Sequence, residues 1–183
     1  MSERATFGLA QRLRAKRGAP LGDVFSFLSG LYFRGKLAYA RAFASLPEHA
    51  SAVAGTGVFV ITPNAGLRSP DTPVTLAAIH SFASVDVSAG NPAYRRPLER
   101  SAKALAADIG DECPVVLLGS IASPKYVDVL QSIFGDRLLF PHEFVGRGDM
   151  SRGGLMLRCA ASGEQLTYVP AAGGLSCDMS SIS

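Results

Sequence analysis

Residues 115–154 constrain this chain more than any other stretch. The apolar run Val115-Val116-Leu117-Leu118 ends in Gly119-Ser120, and Ser123-Pro124-Lys125 follows with the residues of a helix start. A strand that turns through glycine into a helix N-terminus aims backbone N–H groups at one point, where an anion is stabilised. A second apolar run, 137–140, leads through Pro141 into Gly146-Arg147-Gly148-Asp149-Met150-Ser151-Arg152-Gly153-Gly154. That segment reads as a loop, with four glycines, two arginine forks and one carboxylate. A turn alone needs one or two glycines, so ligand contact is the favoured reading there.

Apolar spacing places the remaining elements. Phe27, Leu28, Leu31, Leu37, Tyr39, Ala40 and Phe43 recur at helical spacing over 23–45, with Gly30 and Gly35 as candidate breaks and Pro47 beyond the end. Val58–Thr62 is a β-branched and aromatic run that stops at Pro63-Asn64-Ala65-Gly66 and continues as loop to Pro73. A short helix is expected over 75–83. Gly90-Asn91-Pro92 and Pro97 make 86–97 a loop, and alanine-rich Leu98–Ile109 a helix closed by Gly110. Strand 115–118, helix 124–134 and strand 137–140 follow. Residues 154–159 suit strand or helix, and 166–169 a last strand.

Strands alternating with helices predict an α/β fold, a single three-layer domain with a mostly parallel central sheet flanked by helices. Its expected bounds are 21–170, after a basic segment 1–20 and before a small-residue, flexible tail 171–183. In such a sheet the loops 63–73, 119–123 and 141–153 share the carboxyl edge and form a single cleft.

Composition narrows the function classes. A chain of 183 residues with 48% hydrophobic and 18% charged residues builds one core and is not globally disordered. A net charge of +3 permits an anionic small molecule or nucleic acid as partner without demanding either. Cys113, Cys159 and Cys177 match neither a zinc spacing nor a disulfide framework, which points to a reducing cytoplasm. No apolar run approaches a membrane span, and the basic N-terminal segment reads as a solvated helix or tail rather than a targeting signal. His49, His80 and His142 stand apart; no metal set and no cofactor motif emerges.

Two chemistries compete at each candidate residue. Gly119, Ser120 and Lys125 are placed to hold phosphate, while Ser123 and Pro124 also read simply as N-cap and first helical residue. Arg147 and Arg152 are expected to bind phosphate or carboxylate, and Asp149 to act as a base or stabilise positive charge. Arg34 is a further phosphate contact. Asn64, in its turn with Gly66, would read a base or sugar edge and Arg68 beyond would hold phosphate, with a purely structural Asn turn as the favoured alternative.

Several segments in order carry a resemblance. Leu31-Tyr32-Phe33-Arg34-Gly35-Lys36-Leu37-Ala38-Tyr39-Ala40 resembles a Leu-Phe-x-Lys/Arg-x-x-x-Tyr-Ala signature. Val60-Ile61-Thr62-Pro63-Asn64-Ala65-Gly66-Leu67 with Pro70-Asp71-Thr72 resembles a strand followed by Ser-Ala-x-x-Gly-Leu-x-x-Pro. Val116–Gly119 and Tyr126–Leu130 are similar to a later strand and helix. The order resembles bacterial α/β domains of the YaaA-like and uracil-DNA-glycosylase-like groups. Thr62-Pro63 replaces the usual Ser-Ala, and the Gly-Gln-Asp-Pro-Tyr and His-Pro-Ser motifs of uracil glycosylases are absent. The resemblance therefore implies a nucleotide-shaped cleft rather than base excision as such. Two functions follow: a nucleotide- or base-directed enzyme on an N-glycosidic bond, or a non-catalytic ligand-binding module.

Overall fold

The computed structural model describes residues 3–121 and 124–174. Helix α1 (Glu3–Arg14) is followed by a two-residue strand β1 (Ala19–Pro20). Leu9 and Ala19 are buried against Leu21, Val24, Val60 and Val74, so the basic N-terminal segment contributes to a core. The helical stretch of the sequence divides into α2 (Leu21–Leu28) and α3 (Gly30–Phe43). The break falls at Gly30, whose φ of +63° turns the chain; Gly35 remains inside α3. Strands β2 (Val60–Thr62), β3 (Gly66–Arg68) and β4 (Pro73–Val74) follow, then α4 (Leu76–Ala83), whose first turn Thr75 caps through Ala78 N–H. The second half runs α5 (Pro92–Ile109), β5 (Val115–Val116), α6 (Pro124–Phe134), β6 (Leu138–Pro141), α7 (Asp149–Ser162), β7 (Tyr168–Pro170) and α8 (Ala171–Gly174).

The mostly parallel central sheet expected from the sequence is not formed. The fold is 54% helical, and its described strands make sheets of two, two and three strands. β2 and β3 are an antiparallel hairpin, and β4 pairs antiparallel with β1. Only β5 and β6 run parallel, around α6, and β7 joins β6 antiparallel. The cause is local closure. Thr62 Oγ1 donates to Gly66 O (2.7 Å) and accepts from Ala65 N–H (3.1 Å), so the run ending at Thr62 returns on itself. Gly66 takes φ +69° and lies against Pro97 and Ser101 of α5. A side chain there would strike that helix. The single cleft along one sheet edge goes with the sheet, because the turn after Thr62 belongs to a separate hairpin.

Three further expectations change. Residues 92–97 are helix rather than loop: Asn91 accepts from Ala93 N–H (3.0 Å), and Pro92 sits where a helix loses no amide bond. Tyr94, Leu98, Ala102, Leu105 and Ile109 then form one buried stripe, which outweighs the hydrogen bond lost at Pro97. Residues 149–154 are likewise helix, so Arg152, Gly153 and Gly154 belong to α7 and not to a loop. The stretch 154–159 is its continuation. Ala171 is fully buried and opens α8, so order extends past residue 170. The expected cap Ser123, Cys177 and the rest of the expected tail lie outside the described residues.

The crossing of α3 and α7 organises the remainder, and no other pair of described elements shares as much contact. Gly35 and Gly153 meet there. A Cβ on Gly35 would stand 2.5 Å from Gly153 O, and one on Gly153 would stand 2.9 Å from Leu31 O and Tyr32 Cα. The helices touch backbone to backbone. Tyr39, Phe144, Met156, Cys159 and Leu166 fill the space beside the contact, with Tyr32 and Leu118 packed against them. Tyr39 Oη accepts from Leu166 N–H (2.8 Å) and shares a 2.6 Å hydrogen bond with Tyr168 Oη.

Gly35→Ala is expected to cost about 3 kcal/mol in chemical denaturation, since the backbone opposite cannot move aside. Gly154→Ala, whose Cβ meets only Arg158 Nη1 at 3.5 Å, should instead gain about 0.5–1 kcal/mol from its interior helical position. Equal effects at both positions would remove the close crossing.

Candidate functional site

The glycine contact carries charged and phenolic side chains with it. Around Gly35, α3 presents Tyr32 and, one turn on from it, Lys36; the first turn of α7 presents Asp149 and Arg152. Lys36 Nζ lies 3.9 Å from the centroid of the Tyr32 ring. Arg152 is 17% exposed and its guanidinium forks onto Phe144 O (Nε 3.1 Å, Nη2 2.9 Å), over the Phe144 ring at 5.5 Å. Asp149, 68% exposed, approaches Arg152 Nη1 at 3.7 Å. The N-cap of α7 is Gly148, which has no side chain to occupy the first-turn amides. That end of the helix favours negative charge.

Burial sets the electrostatics. It pushes the Lys36 ammonium down to about 8; the like charge of Arg152 acts in the same direction and Asp149 opposes them. Lys36 forms no ion pair among the described residues. Burial raises the Tyr32 phenol against the lowering influence of the neighbouring Arg152. The Tyr32 hydroxyl is buried, with the Arg152 guanidinium as its polar neighbour.

The loop after β5 reaches the same place. Leu118 packs with Tyr39 and Phe144, and Tyr126 Oη accepts from Ser120 N–H (3.1 Å). Burial raises the Tyr126 phenol, which also feels the charges of Asp149 and Arg152. Gly119 lies beneath that ring: a Cβ would stand 2.9 Å from Tyr126 Oη. Lys125 is exposed and has a partner of its own. Two of the three loops thus converge on the α3–α7 crossing.

The other sequence candidates are distributed differently. Arg147 is exposed and donates to Ser151 Oγ (3.3 Å) one turn on, at the rim of the α7 N-terminus. Arg34 is exposed and lies about 200° around α3 from Lys36 at 100° per residue. Asn64 donates through Nδ2 to Ser81 O (3.1 Å) and Ser81 Oγ (2.7 Å), tying its turn to α4. With Arg68, Phe82, Leu21, Val74 and neighbours it lines a separate cavity of about 270 Å³. Gly66 contacts α5. His142 is exposed, and Glu143 accepts from Thr167 N–H (2.9 and 3.2 Å).

Lys36, Tyr32 and Tyr126 were not among the sequence candidates. The signal for Tyr32 and Lys36 lay in Gly35 and Gly153 read together: a glycine inside each helix brings the residues flanking it to the contact, whereas Tyr126 on α6 carried no such signal. Among the described residues no three His, Cys, Asp or Glu side chains group as metal ligands, and no helix is long and apolar enough to cross a membrane. Compared with family models, curated proteins and solved structures, the chain finds no match.

The depressed Lys36 ammonium has a signed consequence. Below pH 8 the group is protonated in both the folded and unfolded chain, and the fold bears the full burial cost. Between about 8 and 10.5 the unfolded chain holds more protons, so this group adds stability as pH rises. Relative to Lys36→Met, the intact chain should gain about 2 kcal/mol from pH 7.5 to 10, the full linkage being discounted for partial exposure. A stability difference that stays flat across that range would place the amine in water.

Proposed function

We propose that the chain binds a small phosphate-bearing ligand of the nucleotide or sugar-phosphate class at the α3–α7 crossing. The observation that carries this reading is a half-buried pair of cations whose neighbouring carboxylate stays in solvent. Lys36 and Arg152 crowd one half-buried place, Asp149 is mostly solvated, and the adjacent helix N-terminus has no side-chain cap. An anion seated there would add to the attraction Asp149 already exerts on Lys36, offset the repulsion from Arg152, and meet the first-turn amides of α7. Arg147, at the rim, supplies a second fork. Arg152 acts by its charge, since its fork is already engaged on Phe144 O.

The nucleotide class rests on the resemblance to the YaaA-like and uracil-DNA-glycosylase-like groups, and the phosphate rests on the charges. Action on an N-glycosidic bond would use Asp149 to stabilise developing positive charge. The exposure of Asp149 and its pairing with Arg152 favour the second reading, a ligand-binding module without turnover. A cytoplasmic setting fits Cys113 and Cys159, both free thiols.

Thermal denaturation with nucleotides, sugar phosphates and short DNA tests the proposal. At ten times Kd a bound ligand should add about 1.4 kcal/mol, or roughly 3–6 °C in midpoint for a chain of this length. Lys36→Gln should abolish the shift, Arg147→Ala should reduce or abolish it, and Lys36→Arg should retain it. No shift with any phosphate ligand, or a full shift in Lys36→Gln, would overturn the site.

A further inference from the structure

We propose that Lys36 is a nucleophilic amine that condenses with the carbonyl of a small phosphate-bearing aldehyde or ketone, forming an imine at the α3–α7 crossing. The choice of a phosphate-bearing substrate rests on the function proposed above; the reactivity of the amine does not.

The chain has four lysines, Lys16, Lys36, Lys103 and Lys125. Three are exposed; Lys36 alone is withdrawn from solvent. Its Nζ rests on the face of Tyr32 at 3.9 Å, and no carboxylate lies within ion-pairing distance among the described residues. A structural buried lysine is ordinarily locked by an acid. Here the ring face and the more distant charge of Asp149 hold the ammonium without a contact acid, and the nitrogen lone pair is freed when the proton leaves. Burial favours that loss and Arg152 adds to it, while Asp149 opposes it by more than Arg152 contributes; burial is thus what activates this amine near neutral pH. The Tyr32 hydroxyl is buried beside the Arg152 guanidinium, which places a second polar group next to the amine.

The step balances without any oxidant or reductant. The neutral Nζ attacks the carbonyl carbon and a C–N bond forms. The carbonyl π pair moves to oxygen, which takes up a proton as nitrogen gives one up, leaving a carbinolamine. Loss of the hydroxyl and the remaining N–H proton as water gives the C=N bond. Asp149 supplies the nearest negative charge when the imine nitrogen is protonated.

Reductive trapping of the unmodified chain tests this. Glycolaldehyde phosphate and glycolaldehyde are each incubated with the protein and sodium cyanoborohydride, and adducts are mapped to the four lysines and the N-terminal amine by peptide mass. At pH 7.5 Lys36 should be modified about ten-fold faster than Lys16 or Lys103, its larger neutral fraction outweighing its lower intrinsic nucleophilicity. Its rate should rise to half-maximum near pH 8. A preference for the phosphorylated aldehyde supports both the amine and the phosphate site. Equal labelling of Lys36 by the two aldehydes supports the amine and counts against the phosphate. Labelling of Lys36 no faster than Lys103 overturns the imine, whatever the thermal shifts show. Lys36→Arg should lose the adduct and keep any phosphate-dependent stabilisation, which separates charge from nucleophilicity.

Discussion

The contact of Gly35 with Gly153 is the constraint on which the site depends. Two helices that meet through side chains stand 8–10 Å apart, and residues on facing turns then look into packed apolar atoms. With both Cβ atoms removed, the backbones close up, and the residues flanking the glycines are drawn to the edge of the contact. Tyr32 and Lys36 come from one helix and Asp149 and Arg152 from the other. Phe144 and Leu118 close the side of the crossing, and through them the segments after β6 and β5 are held against it. The same contact that stabilises α7 thus sets which ionisable groups share a low-dielectric place.

Those groups do not neutralise one another in pairs. Arg152 has three hydrogen-bonding nitrogens in the vicinity of protein acceptors, yet its best partner is the neutral carbonyl of Phe144. Asp149 meets it only at 3.7 Å and from solvent. Lys36 is left with an aromatic face. Removing one charge from water is costly unless hydrogen bonds replace the lost hydration, and a fold selected for stability alone would place methionine or leucine at 36. A cation kept there against that cost is more economically explained by what it meets from outside than by what it holds inside.

Much of the helical content was legible. Glycine at 30 and 110 and proline at 124 mark helix ends by their backbone preferences, and the apolar spacing of α3 and α6 is plain. The sheet was not legible, because short β-branched runs carry no information about their partners. Val60–Thr62 would look the same in a parallel sheet; only the hydroxyl of Thr62, bonding both sides of its turn, decides for a hairpin. Pro92 and Pro97 together resembled a loop because the burial of Tyr94 is a tertiary fact. The segment 146–154 misled for a related reason: its glycines have different tasks. Gly146 takes φ +71° in the turn, Gly148 caps, and Gly153 lets a helix approach, so glycine richness did not mean a continuous loop.

The partial convergence of the candidate loops has a physical reading of its own. The turn holding Asn64 was expected to join the other two, and it is instead held by Ser81 and α5, beside a cavity that shares no lining residue with the Lys36 group. That turn is fixed by hydrogen bonds that leave its side-chain amide no free donor at the Ser81 end, so its polar groups are spent on the fold. At the α3–α7 crossing the balance is reversed: the Lys36 amine has no carboxylate within ion-pairing distance among the described residues, and the first turn of α7 has no side-chain cap. Polar groups satisfied internally specify a structure, and polar groups left wanting in a half-buried place specify a partner. On that criterion the two regions separate, and the chemistry belongs with the two glycines.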